Sequence, residues 1–240
     1  MPFCNIYSTF MQRAYDNVIH DVAIQGLPVV MCLDRGGLVG EDGVTHHGVF
    51  DMAAFGAVPG LTVAAPMNEP ELRNMMWTGL QAGAPFMIRY PRGLGEGLPW
   101  RGLPFETLPV GRGRRLREGR DVALVTVGTV GNAAARAAEH AAAQGVEAAH
   151  YDLRWVKPLD TELLDEVGRT FRRVITVEDG CLRGGVGEAV AAYFNARGYD
   201  AHVTCLGIGD AWVEHGTPEQ LHALCGYDEE SIFRALTQPV

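Results

Sequence analysis

The sequence predicts an α/β protein made of two successive domains. In both halves of the chain, short apolar runs alternate with amphipathic or alanine-rich stretches, a pattern typical of parallel strands joined by crossover helices. A stretch rich in glycine and proline, from Gly93 to Pro109, interrupts this alternation once. The length of 240 residues is sufficient for two cores. We therefore predict domains over residues 1–95 and 110–240, joined by a linker over residues 96–109.

The first domain begins with a predicted strand, FCNIY, at residues 3–7, and Ser8 or Thr9 is expected to cap the helix that follows. Apolar residues recur every four positions along this helix, and Gly26 ends it. Asn68 is expected to cap a later helix. The other predicted elements are strands at residues 28–33, 61–66 and 85–90 and a helical turn near 50–57. Because the first strand is apolar on both faces, we expect it to have neighbours that this sequence does not supply.

The second domain repeats the alternation without any internal repeat of fixed period. Its predicted strands lie at residues 121–128, 146–154, 173–179 and 201–208. Its predicted helices lie at residues 132–144, 160–167, 188–196, 218–225 and 229–236. Alternating strands and helices imply a sheet covered on both faces.

Composition excludes several classes of function. The formal charge of −9 argues against a general nucleic-acid or anionic-membrane partner. Five cysteines form no CxxC pair, so the sequence predicts neither a disulfide framework nor a thiolate zinc site. No apolar run approaches the roughly 20 residues of a membrane span, and the start of the chain does not resemble a signal peptide. We expect a cytoplasmic protein.

A long loop from Asp34 to Asp51, DRGGLVGEDGVTHHGVFD, dominates the first domain. Its glycines break any helical or strand period, while its leucine, valines and phenylalanine provide apolar anchors that a solvated linker lacks. Long loops of this kind inside a compact domain are usually functional. The loop follows a buried strand, so we predict a ligand site at the carboxyl end of the sheet.

Arg35 and Arg92 each follow a predicted strand, and Tyr7 ends another, so all three are expected at one edge of the sheet. Two guanidinium groups there suit a phosphate or a carboxylate. The alternative is that each arginine forms an ordinary surface ion pair, for instance Arg35 with Asp34.

Asp42 and His46 lie four residues apart in the loop and could contact one substrate together, orienting hydroxyl groups or moving protons. An Asp-Gly turn and a surface pair of His46 and His47 are equally compatible with this spacing. No further ligands are spaced to complete a metal site.

Two glycine-rich stretches follow strands in the second domain, VGTVGNAA and LRGGVGEAV, but neither has the spacing of a nicotinamide site. We expect their glycines to let helix and sheet approach each other. Cys4 and Cys32 are expected to be buried, inert thiols in strands.

Taken together, the motifs resemble the 1-deoxy-D-xylulose-5-phosphate synthase family, thiamine-diphosphate enzymes of the transketolase group. The segments that carry the resemblance are IYSTFMQRAYDNVIHDVAIQ, LDRGGLVGEDGVTHHGVFD, RYPRG, VKPLD, TVEDG and VEHG, which extend over nearly the whole chain. The resemblance implies the second half of a transketolase-like pyrimidine-binding domain, truncated at its start, followed by a transketolase C-terminal α/β domain. It also implies the condensation of pyruvate with glyceraldehyde 3-phosphate, with loss of CO2, in isoprenoid, thiamine and pyridoxal precursor synthesis.

The resemblance assigns roles to individual positions. Phe10 matches the aromatic residue that stacks on the cofactor's aminopyrimidine, and Arg13 lies on the same cofactor-proximal helix. The group formed by Tyr7, Arg35 and Arg92 matches the residues that hold the aldehyde's phosphate. Asp42 and His46 match residues that contact the substrate or the reaction intermediate.

Other parts of the family pattern are absent from the sequence. The GDG-containing motif that holds the diphosphate through magnesium, the glutamate that activates the aminopyrimidine and the amino-terminal histidines have no counterpart here. We therefore expect this chain alone to be inactive and to need the amino-terminal, thiamine-binding part of the enzyme. The resemblance implies that the complete enzyme is a homodimer. A non-catalytic binding or assembly module and an independent nucleotide-binding oxidoreductase are the alternative hypotheses.

Overall fold

The computed structural model describes residues 1–238, and the last two residues of the predicted second domain, 239 and 240, lie outside it. Two five-stranded sheets form the framework of these residues. The first sheet has the order β1-β2-β4-β3-β8, in which the first four strands are parallel and β8 runs antiparallel to β3. Its strands are β1 (Phe3–Tyr7), β2 (Val30–Asp34), β3 (Thr62–Ala64), β4 (Phe86–Arg89) and β8 (Trp155–Lys157).

The second sheet has the order β10-β9-β6-β7-β5 and is parallel except for β5 at one edge. Its strands are β5 (Arg114–Arg117), β6 (Val122–Val127), β7 (Ala148–Asp152), β9 (Arg173–Cys181) and β10 (His202–Ile208). The α-helices are α1 (Ser8–Met11), α2 (Tyr15–Asn17), α3 (Asp51–Gly56), α4 (Glu69–Ala82), α5 (Val130–Ala143), α6 (Thr161–Thr170), α7 (Val186–Arg197), α8 (Pro218–Cys225) and α9 (Glu229–Thr237).

The segment predicted as one helix after β1 is a succession of short pieces. After α1 come a 3₁₀ turn, Gln12–Ala14, then α2 and a π-helical stretch, Val18–Ala23. The prediction of a Ser8 or Thr9 cap is wrong, because the N-cap position is Tyr7 and neither hydroxyl caps the helix. Both hydroxyls bond the long loop instead: Ser8 Oγ donates to Asp51 Oδ2, and Thr9 Oγ1 donates to the carbonyl of Thr45.

The other helix starts follow the sequence signals more closely. Asn68 caps α4 by accepting a hydrogen bond from the Glu71 amide, as predicted. In α5 the predicted alanine-rich face packs directly on the second sheet, since Ala134, Ala137 and Ala138 are completely buried. Small side chains let this helix lie close to the strands.

Two strands were missed because neither has an apolar period. β5, RRLR, contains three arginines and pairs antiparallel with β7 at the sheet edge. β8 has only three residues and follows the linker by more than 40 positions, yet it adds to the first sheet beside β3. Its Trp155 is fully buried against Phe86 of the first core, at a centroid distance of 5.9 Å.

Within the described residues, β1 is an edge strand of the first sheet and pairs with β2 alone. Phe3, Cys4 and Asn5 are exposed. The prediction of a buried thiol is therefore wrong for Cys4 and confirmed for Cys32. Burial raises the pKa of the Cys32 thiol to about 11. Within residues 1–238, no helix has the length and apolar character needed to cross a membrane.

Candidate functional site

The long loop between β2 and α3 is closed at its neck by glycines. The amide of Gly37 donates to the carbonyl of Gly48 and the amide of Gly48 donates to the carbonyl of Gly37, both at 2.8 Å. A Cβ at Gly48 would lie 2.2 Å from the carbonyl oxygen of Arg35, so no larger residue fits. The loop is therefore an ordered structure fixed to the carboxyl edge of the first sheet.

Aromatic and cationic side chains stack along this edge. The Arg35 guanidinium carbon lies 3.7 Å from the centroid of the Tyr7 ring, and Tyr7 stacks on Phe10 at 5.3 Å with an interplanar angle of 14°. His46 of the loop meets Phe10 edge-on at 5.5 Å, while the Arg13 guanidinium carbon lies 6.0 Å from the Phe10 centroid. We call Arg35, Tyr7, Phe10, His46 and Arg13 the ring stack.

Arg35 has an unusual backbone. Its φ is +58°, in the left-handed region that residues other than glycine rarely adopt. Its guanidinium binds Asp34 at 2.5 Å, as the surface ion-pair alternative anticipated, but Nε is buried and has no hydrogen-bond partner in residues 1–238. Strained backbone of this kind is concentrated at binding and catalytic sites.

Arg92 lies on the same sheet edge but outside the ring stack. β2 and β4 are parallel neighbours, and the amide of Gly36 donates to the carbonyl of Tyr90 at 2.9 Å, which brings the ends of the two strands together. Arg92 Nη1 binds Asp42 Oδ2 at 2.5 Å, and both side chains are about two-fifths exposed. The predicted residues thus form two groups: the ring stack, and the pair of Arg92 with Asp42.

The two adjacent histidines differ. His46 is partly exposed and contacts Thr45 as well as Phe10. His47 is buried: its Nδ1 accepts the amide of Val39 at 3.1 Å, and its Nε2 lies 3.3 Å from the carbonyl oxygen of Glu214 in the second domain. The interpretation of a surface histidine pair is therefore wrong for His47, which fixes the shape of the loop.

We call the two ends of the loop, at Leu38 and at Asp51, its first and second stems. The second stem is hydrogen-bonded to a buried arginine that was not singled out from the sequence. Arg89 Nε donates to Asp51 Oδ2 at 3.0 Å, and its Nη2 donates to the carbonyl of Asp179 at 2.9 Å. Asp51 also accepts hydrogen bonds from Ser8 Oγ at 2.9 Å and the Met52 amide at 2.7 Å. Burial opposes the charge of Arg89, but the carboxylates of Asp51 and Asp179 outweigh burial and raise its pKa. The sequence does contain a signal for this residue, because Arg89 is a charged residue within the otherwise apolar run PFMIRY.

The first stem is hydrogen-bonded to Asp179, near the carboxyl end of β9. Asp179 Oδ1 accepts hydrogen bonds from the Leu38 amide at 3.0 Å and the Tyr227 hydroxyl at 2.8 Å. Burial and the neighbouring Asp179 carboxylate raise the pKa of Tyr227 well above its usual range, so its hydroxyl remains a donor. The motif TVEDG contains Asp179, but nothing local in the sequence indicates that it contacts the first domain.

A cleft of about 540 Å³ lies between the two domains at this level. The first domain contributes Tyr90 and Arg92 to its wall, and the second contributes Asp179, His222 and the start of α5 at Thr129. Burial raises the pKa of Tyr90 to about 12, so its phenol stays neutral. Both sheets therefore direct their carboxyl ends towards one space.

Ionisable groups are also buried elsewhere in the second domain. Burial lowers the pKa of His150 to about 4, and Nε2 of this residue lies 2.9 Å from Thr126 Oγ1. Burial raises the pKa of Glu178 to about 7 although the amides of Val186 and Gly187 donate to its carboxylate. This carboxylate thereby holds the start of α7.

The ring stack fits an aromatic heterocycle. Phe10 is only partly buried and presents a flat apolar ring at the sheet edge, with a guanidinium and an imidazole beside it. Among residues 1–238, no group of three or more His, Cys, Asp or Glu side chains is arranged to hold a metal ion.

Comparison with protein families divides the chain in two. Residues 1–96 match the family described as transketolase, pyrimidine binding domain. Residues 111–232 match the family described as transketolase, C-terminal domain.

Several curated proteins are similar to nearly the whole chain. The 1-deoxy-D-xylulose-5-phosphate synthase of Bacteroides fragilis is 55% identical over 240 residues, which cover 99% of this chain and 37% of that protein. The synthase of Bacteroides thetaiotaomicron is 56% identical, over 98% of this chain and 36% of its own length. That of Carboxydothermus hydrogenoformans is 45% identical, over 97% and 37%. The chain thus spans little more than a third of the length of these relatives.

A solved structure described as "Split gene transketolase, inactive beta4 tetramer" has a similar fold. Its TM-score is 0.84 at 27% sequence identity, and the match covers 98% of this chain and 74% of that one.

Proposed function

The chain belongs to the transketolase family, and on this premise we propose that it is the carboxyl-terminal part of a 1-deoxy-D-xylulose-5-phosphate synthase, a thiamine-diphosphate-dependent transferase. The predicted fold class, a transketolase-like pyrimidine-binding domain followed by a transketolase C-terminal α/β domain, is confirmed. The resemblance to the synthase family is confirmed as well, by relatives from several species. The reaction, its substrates and the partners of this chain are part of the proposal.

The observation that carries the proposal is the position of Arg35. Its backbone is in a rarely adopted conformation and its guanidinium lies on Tyr7. Its Nε is buried and has no hydrogen-bond partner within residues 1–238. A donor that is held in a strained geometry and left unsatisfied favours an anionic ligand. We assign the phosphate of glyceraldehyde 3-phosphate to Arg35, Tyr7 and Arg92. Arg92 would exchange its contact with Asp42 for the phosphate.

The other residues act on the reacting groups. Asp42 and His46 lie on the loop beside the phosphate-binding side chains, where they orient the aldehyde and accept or donate protons. Phe10 supports the aminopyrimidine ring of the cofactor, with Arg13 beside it. Thiamine diphosphate, when bound, supplies the carbon nucleophile and the electron sink needed for loss of CO2 from pyruvate. The role of this chain is to hold the acceptor in the correct position. Such positioning contributes much of the rate acceleration.

We further propose that the remaining part of the enzyme supplies the diphosphate and magnesium ligands. The chain spans about 37% of its curated relatives, and the similar solved structure is described as a split-gene, inactive protein. The complementary part would reside on the same polypeptide or on a separate one, and the assembly would be a homodimer of the complete unit.

Complementation tests this function. The purified chain is mixed with a polypeptide containing the other part of the Bacteroides fragilis synthase, and CO2 release and deoxyxylulose phosphate are measured with thiamine diphosphate and magnesium present. We expect turnover from the mixture and none from either part alone. Product from this chain alone would contradict the proposal. A stable complex without turnover would instead support a non-catalytic assembly module.

Substitution of the phosphate-binding arginines tests the assigned roles. Arg35→Met and Arg92→Met should each raise the KM for glyceraldehyde 3-phosphate at least about tenfold, because each removes a charge-assisted contact. The KM for pyruvate should be unchanged. Arg172→Met is the matched control, since Arg172 is a surface arginine paired with Asp200 and lies away from the loop. Equal changes in both KM values would contradict the assignment.

A further inference from the structure

We propose that Asp179 of the second domain is the positioning residue for the acceptor-binding loop. The inference concerns the site described above and depends on the proposed function for its catalytic meaning.

The loop is held at two stems that belong to different domains. At the second stem, Asp51 is bonded to Arg89 and Ser8, which lie within the first domain. At the first stem, Leu38 has its amide bonded to Asp179 Oδ1, which lies 141 residues further along the chain. The two stems meet at the neck, where Gly37 and Gly48 exchange backbone hydrogen bonds.

Asp179 is suited to this role by its own fixed position. It is only 4% exposed and lies near the carboxyl end of β9, an interior strand of the second sheet. The Tyr227 hydroxyl donates to the same Oδ1 atom, and the carbonyl of Asp179 accepts from Arg89 Nη2. The carboxylate therefore has little freedom to rotate away from the loop.

The fit between Asp179 and the neck allows no side chain at Gly37. A Cβ there would lie 1.8 Å from Asp179 Oδ2, and the φ of Gly37 is +82°. Leu38 is itself 2% exposed, so its buried amide loses its acceptor if the carboxylate is removed. An unsatisfied buried donor destabilises the conformation that contains it.

The catalytic consequence follows from the distance along the chain between the neck and the functional side chains. Arg35 lies two residues before Gly37, and His46 lies two residues before Gly48. When the neck rearranges, the strained backbone of Arg35 and the contact of His46 with Phe10 are no longer imposed. The second domain, which contributes no residue to the ring stack, thus controls its geometry.

Hydrogen exchange measured by mass spectrometry on the purified chain tests the inference without turnover. In Asp179→Ala, we expect exchange of the amides of residues 36–48 to accelerate at least about tenfold, since the bond to a charged acceptor is lost. In Asp179→Asn, whose neutral oxygen accepts more weakly, we expect an increase of at least about threefold. Exchange in β6 reports whether the second domain remains folded, and it should not change.

Asp165→Ala is the matched control. Asp165 accepts hydrogen bonds from the hydroxyls of Tyr193 and Tyr199, at 2.7 and 2.8 Å, in the same domain but away from the loop. We expect no change in loop exchange for this variant. If Asp179→Ala fails to fold, the asparagine variant decides the question. Unchanged loop exchange in the folded Asp179 variants, or an equal effect of Asp165→Ala, would overturn the inference.

Complementation then separates this inference from the proposed function. If the mixture of the two parts is active, Asp179→Asn should raise the KM for glyceraldehyde 3-phosphate while CO2 release from pyruvate stays normal. Faster loop exchange in a mixture that never turns over would sustain the positioning role and reject the proposed function. Normal loop exchange in the Asp179 variant of an active mixture would reject the positioning role and support the proposed function.

Discussion

Arg89→Met should cost the protein a large part of its stability. Arg89 and Asp51 form an ion pair in which both side chains are almost completely buried, at 3% and 1% exposure. Methionine fills most of the volume but cannot donate to Asp51. Within residues 1–238, Asp51 then keeps two donors, Ser8 Oγ and the Met52 amide. Breaking a buried pair by removing one partner typically costs about 3–5 kcal/mol. We expect the free energy of unfolding to fall by about 4 kcal/mol.

Urea denaturation, followed by circular dichroism, measures this loss from the shift of the midpoint at constant slope. The control is Arg172→Met, which removes an arginine from a pair whose side chains are both almost fully exposed, and no measurable change is expected. The double variant Arg89→Met/Asp51→Asn removes the charge that was left unpaired. It should therefore be less destabilised than the sum of the single variants, by at least about 1 kcal/mol.

The measurement can contradict the physical argument in two ways. A loss below about 1 kcal/mol for Arg89→Met would mean that water or a rearranged loop solvates Asp51, so that the pair is not effectively buried. Additive losses in the double variant would mean that the two side chains are not coupled across the 3.0 Å contact.

Three further predictions concern the loop neck, a buried histidine and the linker. Gly37→Ala should destabilise the chain by about 3 kcal/mol or more. The control is Gly26→Ala, which should cost about 1 kcal/mol, because Gly26 also has a positive φ but its added Cβ would meet no atom of residues 1–238 within 4 Å. Equal shifts in the urea midpoint would refute the steric argument. His150 has a folded pKa of about 4, below its value of 6.5 when unfolded, so protonation favours the unfolded state and stability is lost as pH falls through this range. Between pH 7 and pH 5 the wild type should lose about 2 kcal/mol more than His150→Gln, and parallel pH profiles would contradict this. A protease site inserted between Leu98 and Pro99 should be cleaved. The two pieces should still elute together in size-exclusion chromatography at low concentration, because β8 remains paired with β3. Separate elution would refute the expectation that this pairing holds the domains together.

The sequence was most informative where one local rule determined one local structure. Asn68 begins its helix as the predicted capping residue, and α5 was recognisable from its alanines. The long loop was recognised from its glycines, and Arg35 and Arg92 were correctly expected after neighbouring strands. In each of these examples, the determining residues lie within a few positions of each other.

Prediction failed where the determining partner is distant in the chain. Ser8 resembles a helix cap, but its hydroxyl is used by Asp51, 43 residues away. Asp179 and Leu38 are separated by 141 residues, so no window of sequence relates them. Cys4 lies in an apolar run that predicted burial, but β1 is an edge strand, and only the strand order reveals this.

The short strand β8 restricts how the two domains can move. A linker rich in glycine and proline would normally permit hinge bending, yet β8 returns from the second domain and bonds to β3 of the first. The Ala65 amide donates to the carbonyl of Arg154 at 2.9 Å, and Lys157 Nζ donates to the carbonyl of Val58. Hinge opening of the interdomain cleft would have to break the pairing of β8 with β3 and withdraw Trp155 from the core of the first domain. Access to the cleft is therefore expected through local shifts of side chains and of the loop tip, with the β3–β8 pairing kept intact.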